Sequence, residues 1–216
     1  MLFWILCFGY KEVWGFDPNI VHPHPPILQP FMKTPKPVAL SARQETKLNA
    51  GEMVFIAKKT TSGSQGRGIA VQYINAPEEI VWNMVLSYEH YPERVQNVVR
   101  ASVYEQKEDV LYVALISQVL WIEFGLYTIN TIHREKNYMS WQLDRRRMSD
   151  VEDIIGYWRI VQIAEDPPRT RVDFASELSL QGVPEFLEDY LREDSLRNGT
   201  AWVKKYAEKA YREEKK

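Results

Sequence analysis

The stretch Ile69–Val98, IAVQYINAPEEIVWNMVLSYEHYPERVQNV, most constrains what this chain can fold into. In it Ile69, Val71 and Tyr73 alternate with Ala70 and Gln72, the period of a strand with one face buried. Asn75 stands where a helix N-cap is needed, Pro77 falls in the first turn where a missing N–H costs nothing, and Glu78 and Glu79 suit the positive end of the helix dipole. Ile80, Val81, Met84 and Val85, with Trp82 beside them, recur at helical spacing and predict about three amphipathic turns. Ser87–Tyr91 interrupts the pattern, and Tyr91-Pro92-Glu93 restarts a short helix.

From Val98 onward the chain reads as sheet. Strands are expected over Val98–Glu105, Val110–Val119, Phe124–His133 and Asn137–Leu143, joined by short charged turns as in an antiparallel meander. Met139, Trp141 and Leu143 share one face of the fourth. If Thr131 pairs with Trp141, Tyr127 and Ile129 lie inside; a one-residue slip would instead bring in Phe124, Leu126 and Thr128. Two later strands show a dry face (Gly156, Trp158, Ile160; Val172, Phe174, Leu178, Leu180) and a wet one (Tyr157, Arg159; Arg171, Asp173, Glu177, Ser179). Gly156 inside a strand points to strong curvature or a closely approaching partner. Upstream, Glu52–Thr60 forms a hairpin with the Ile69 strand across Ser62–Gly68; a strand comes directly after these glycines, so they are not a phosphate cradle.

From Val183 to about Tyr211 the period turns helical, with Phe186, Leu187, Tyr190 and Leu191 and then Trp202, Val203 and Tyr206 on one side. At about 1.5 Å per residue this helix would cross the whole sheet, and Asn198-Gly199 marks a place where it could kink.

The N-terminal fifty residues differ. Phe3-Trp4-Ile5-Leu6 and Cys7 form an apolar leader with no preceding positive charge and no small-residue cleavage site, a poor secretory signal and too short to span a bilayer. Residues 17–37 carry seven prolines and read as an extended tether, in which His22 and His24 are solvated rather than metal ligands. Residues 39–50 are loop or a short helix. We therefore expect residues 1–50 to be largely irregular and 51–216 to form the folded domain. The formal charge of −2 exerts no overall pull toward nucleic acid. Arg145-Arg146-Arg147, with Asp150, Glu152 and Asp153 just after it, is expected to be a solvated strand end neutralised by those acids, with an anionic headgroup as the alternative.

The run NAPEEIVWNMVLSYEHYPERVQNVVRASV resembles the opening of the polyketide cyclase/dehydrase and lipid-transport family, which includes START-like and coenzyme Q-binding proteins. Ala76-Pro77, Val81-Trp82, Tyr88 and Tyr91-Pro92 stand at matching places, as do Gly156-Tyr157-Trp158 and Thr170-Arg171-Val172 further on. The likeness spans roughly residues 66–212. Arg94-Val95 departs from it, where the family commonly has an aromatic or aliphatic pair at the cavity mouth.

The resemblance implies an α+β helix-grip fold: a curved antiparallel sheet of about seven strands around a long C-terminal helix, with the ligand between. The expected lining is Val113, Leu115, Tyr127, Met139, Trp141, Trp158 and Phe174 from strands, and Phe186, Leu187, Tyr190 and Leu191 from the helix. Such walls select an oily molecule, a lipid, polyprenyl quinone or polyketide-like compound. The competing reading, a cyclase or dehydratase, needs a general acid or base in reach. No inner-face His, Asp or Glu is evident, so binding is favoured, with no catalytic residue, cofactor or metal assigned. The expected partner is a hydrophobic small molecule, with transient membrane contact, no nucleic acid and a monomeric chain, cytoplasmic or peripheral to a membrane.

Overall fold

The alternation of the Val54–Ile74 region becomes a hairpin, and the helical restart after it places two short helices ahead of a long meander. The computed structural model describes residues 19–31, 33–59, 65–119, 122–180 and 195–216. In order these form α1 (Ala42–Asn49), β1 (Val54–Lys59), β2 (Gln65–Ile74), α2 (Glu78–Leu86), a 3₁₀ turn at Tyr88–His90, α3 (Tyr91–Arg94), β3 (Val98–Lys107), β4 (Val110–Val119), β5 (Ile122–His133), β6 (Tyr138–Leu143), β7 (Asp153–Glu165), β8 (Pro168–Ser179) and α4 (Ser195–Glu214). The strands make one antiparallel sheet in the order β1-β2-β8-β7-β6-β5-β4-β3, eight rather than about seven.

α2 starts at the expected place by a different device. Asn75 does not cap it; its backbone N–H and side-chain amide both donate to Glu208 on α4. The free N–H of Glu78 donates instead to Oε1 of Gln162 on β7, 3.1 Å away, and the Gln162 N–H returns a bond to the Glu78 carboxylate. A helix end is thus satisfied from across the fold, which links α2 to the sheet.

The main core lies between the sheet and α2, the 3₁₀ turn, α3 and α4. Val81, Trp82 and Val85 from α2 and Trp202, Val203 and Ala207 from α4 bury against Ile74, Val113, Met139, Ile160 and Val172. Tyr91 stacks edge-on against Trp202, with ring centroids 4.9 Å apart. α4 runs through Asn198-Gly199 as one helix of 20 residues, roughly 30 Å at 1.5 Å per residue. Residues 181–194, which include the first part of the expected helix, lie outside the described residues, as do the apolar leader and Ser62–Ser64 of the glycine-rich connection.

The other face of the sheet is not wet. The described residues between 19 and 41 carry no helix or strand, but they are docked across it rather than forming a free tether. The N–H groups of Ile27 and Leu28 donate to Asp153 at 2.9 and 2.8 Å, and the N–H of Val38 donates to Asp173. The Phe31 ring meets Tyr157 edge-on at 4.9 Å. α1, begun by a capping box between Ser41 and Gln44, buries Leu48 against Val54 and Val71. Asp173, expected in water, is 0% exposed; Glu177 and Ser179 are buried with it. Prolines explain the docking: they keep the segment extended and leave the N–H groups between them without a helical or strand partner, free to reach a buried carboxylate.

His22 is likewise not solvated but 5% exposed. Its Nε2 donates to the Glu152 carbonyl at 3.0 Å, and its Nδ1 accepts from the Ser149 N–H at 3.5 Å. Of the acids expected to neutralise the arginine run, only Asp153 pairs with it; the rest of the run is held by Asp144, Glu105 and tyrosine rings. Arg145 pairs with Asp153 at 2.8 Å, Arg146 with Asp144 at 2.9 Å and Glu105 at 3.0 Å, and Arg147 lies over the Tyr104 ring at 4.1 Å.

Candidate functional site: the concave face beneath the last helix

The strand register decides which residues share the inner face. Asn130 pairs with Trp141 and Thr131 with Ser140, so the slipped alternative holds. Leu126 and Thr128 stand opposite Leu115 and Val113 on the concave side. Tyr127 is therefore corrected: it lies on the opposite face, its ring 5.7 Å from Tyr104 and under the Arg147 guanidinium. Because side chains alternate across a strand, one residue of register moved the whole set.

The remaining strand residues of the expected lining fall into two groups. Val113, Met139 and Trp158 are buried in the main core, packed by α2, the 3₁₀ turn and α4. Leu115, Trp141 and Phe174 pack against that core while remaining half-exposed. Phe174 joins the groups, with its ring 4.6 Å from Trp158 and 5.4 Å from Trp141. Trp141 stands opposite Gly156, and a Cβ at Gly156 would meet the indole at 2.0 Å, so the glycine lets the indole lie against the sheet. The closely approaching partner expected at Gly156 is Trp141. Around this aromatic trio Leu126, Ile154, Ser176 and Leu178 are also half-exposed. Phe186, Leu187, Tyr190 and Leu191 lie outside the described residues.

Between the main core and a second buried cluster of Val119, Phe124 and Leu180, the concave face carries a half-buried aromatic and aliphatic band. The described concave positions of β4 to β8, read by alternation from the pairings, carry no ionisable side chain. Their polar groups are neutral. The Tyr88 hydroxyl donates to Asn130 at 3.2 Å, and the Asn130 amide donates to Thr128 at 2.9 Å. Burial pushes the Tyr88 phenol well above its ordinary value, so it acts as a hydrogen-bond donor rather than a base. Tyr91 is raised by burial too, with the neighbouring Tyr88 adding to the rise and the Arg94 charge opposing it.

Gln72 is the residue that sequence alternation concealed. It is 2% exposed on the concave face of β2; its amide donates to the Thr200 carbonyl of α4 at 3.0 Å, and its Oε1 has no partner. The amide N–H must face the Thr200 carbonyl, so the free atom is the acceptor. A polar residue between Val71 and Tyr73 looked solvent-facing because nothing in the sequence shows that α1 covers the other side.

A second concavity of about 770 Å³ lies on the opposite face, between the docked segment and the sheet, with Leu28, Tyr112, Ile129 and Ile155 in its walls. Its charged groups are already engaged: Asp144 with Arg146, and Asp153 with Arg145 and the docked backbone. It presents closed ion pairs, and the described concave positions of β4 to β8 present uncharged side chains.

An antiparallel sheet gripping a C-terminal helix over an uncharged aromatic face defines a START-like helix-grip protein. A profile of the family described as polyketide cyclase / dehydrase and lipid transport matches residues 74–197, and the chain belongs to that family. Solved structures agree in fold at low identity. The STAR-related lipid transfer protein of Xanthomonas axonopodis superposes with a TM-score of 0.57 at 10% identity, over 78% of this chain and 96% of that one. A START superfamily protein from Mycobacterium smegmatis gives 0.55 at 14%, over 72% and 98%. The Zhui aromatase/cyclase from Streptomyces sp. R1128 gives 0.54 at 14%, over 73% and 95%. No curated protein sequence matches the chain. Among the described residues no helix is long and apolar enough to cross a membrane.

Proposed function

We propose that the chain binds a hydrophobic small molecule, a lipid, polyprenyl quinone or polyketide-like compound, against the Trp141–Phe174 band of the concave face. The observation that carries this is a band of half-buried rings and aliphatic side chains with no ionisable side chain at the described concave positions of β4 to β8. Apolar surface left open costs free energy in proportion to its area, and an oily ligand removes that cost. The protein acts as a single chain, cytoplasmic or at a membrane edge, and passes its ligand on by transient contact with a membrane or an enzyme.

A cyclase or dehydratase working in the same space would need a proton donor or acceptor there. The described concave positions supply the Tyr88 hydroxyl and the Asn130 amide, which are bonded to each other. Binding without chemistry is the better match. Solvent extraction of the purified protein, then mass spectrometry, tests it: an apolar compound in stoichiometric amount is expected. Protein that carries none, and takes none up from a mixed lipid and quinone pool, would exclude the reading.

A further inference from the structure

We infer that Arg94 anchors an anionic head group, so that the molecule held under α4 is an acidic amphiphile; this rests on the binding reading above. Arg94 is half-buried on α3, and its Nη1 is buried without a hydrogen-bond partner. Among the other half-buried arginines, Arg145 is neutralised by Asp153 at 2.8 Å, and Arg159 and Arg171 by Asp173 at 3.3 and 2.8 Å; Arg147 and Arg169 lack a carboxylate but lie over the Tyr104 and Tyr73 rings, and it is the buried, unpartnered Nη1 that sets Arg94 apart. Arg94 has no carboxylate within ion-pair distance among the described residues. The acids nearest in sequence are turned elsewhere, with Glu93 3.4 Å and Glu89 4.0 Å from His90.

The position of this side chain makes the free donor useful. Arg94 comes three residues after Tyr91 and so shares its side of α3, the side that packs on α4. Its guanidinium lies 5.8 Å from the centre of the Tyr206 ring, and the Tyr206 hydroxyl donates to the Glu93 carbonyl across the same seam. Beside the seam, Val98 and Ala101 of β3 are half-buried against the main core. A charged donor shielded from water and left without an acceptor is costly, and the planar fork of a guanidinium fits a carboxylate or phosphate. An anionic oxygen on the ligand's polar end supplies the missing acceptor while its chain lies on the apolar face.

Three probes with one hydrocarbon chain test the assignment by quenching of tryptophan fluorescence: oleate, oleyl phosphate and oleyl alcohol. Wild-type protein is expected to prefer the anionic probes over the alcohol by roughly ten-fold or more, the scale of one charge-assisted hydrogen bond. The tighter of the two anions names the head group. In Arg94→Gln the preference falls to near unity, and in Arg94→Lys, which keeps the charge but not the fork, part of it returns. Equal uptake of alcohol and anions by the wild type, or a preference that survives Arg94→Gln, overturns the role of Arg94 and leaves the binding reading standing. Uptake of none of the three overturns the acidic-amphiphile assignment, and if the mixed lipid and quinone pool is refused as well, the binding reading falls with it.

Discussion

The indole of Trp141 lies across Gly156, its partner on the neighbouring strand, so closely that a Cβ there would stand 2.0 Å from the ring and 2.6 Å from the Ala175 carbonyl oxygen. The carbonyl belongs to a paired strand and cannot move aside, so Gly156→Ala must displace the indole or bend β7. Overpacking of this kind costs about 1–3 kcal/mol. Urea unfolding is expected to show that loss, together with a shifted tryptophan emission and weaker ligand uptake. An unchanged midpoint and spectrum would mean that the indole has room to retreat.

Trp158 and Phe174 touch, yet they should answer differently to truncation. Trp158 is 6% exposed within the main core, so Trp158→Ala is expected to cost about 3–5 kcal/mol and to lower uptake mainly by loosening the fold. Phe174 is half-exposed, so Phe174→Ala leaves a smaller cavity, costs less stability and removes more of the ligand surface. Unfolding curves and extracted ligand, measured on both variants, separate the roles. The same order for stability and for uptake would contradict the division of the concave face.

Asp153 fastens the proline-rich segment by accepting two backbone N–H bonds and pairing with Arg145. Asp153→Ala leaves Arg145 half-buried without its carboxylate and is expected to cost about 3 kcal/mol. Limited proteolysis should then cut between Asn19 and Val38 much faster than in the wild type. Equal cleavage rates would show that Asp173 and the ring contact of Phe31 hold the segment alone.

Burial lowers the pKa of His22 below its ordinary 6.5; the bond to the Glu152 carbonyl opposes the shift and the Arg145 charge adds to it. The unfolded chain then binds a proton below about pH 6.5 that the folded chain refuses. Stability from this group is complete above that pH and is lost as the pH falls from there toward the folded value. Thermal midpoints taken near pH 7.5 and pH 5.5 should differ less in His22→Gln than in the wild type. Parallel shifts in both proteins would assign the acid sensitivity to other groups.

The sequence by itself determined the strands, the two short helices between them and their order. The strand, the Pro-marked helix and the YPE restart of Ile69–Val98 are local, because proline geometry and side-chain period act over a few residues. The glycine that admits Trp141 was also legible. Tertiary structure decided which way each face points. Tyr127 went outside and Thr128 inside because hydrogen bonds between β5 and β6 set the register, and a period of two cannot choose its own phase. Asp173 became buried because the proline-rich segment, more than a hundred residues away, lies over it, and His22, within that segment, because it docks on Ser149 and Glu152, while Gln72 and Arg94 acquired their unpartnered atoms only where α4 came to rest. Burial is a property of what covers a residue, and the covering chain is distant in sequence.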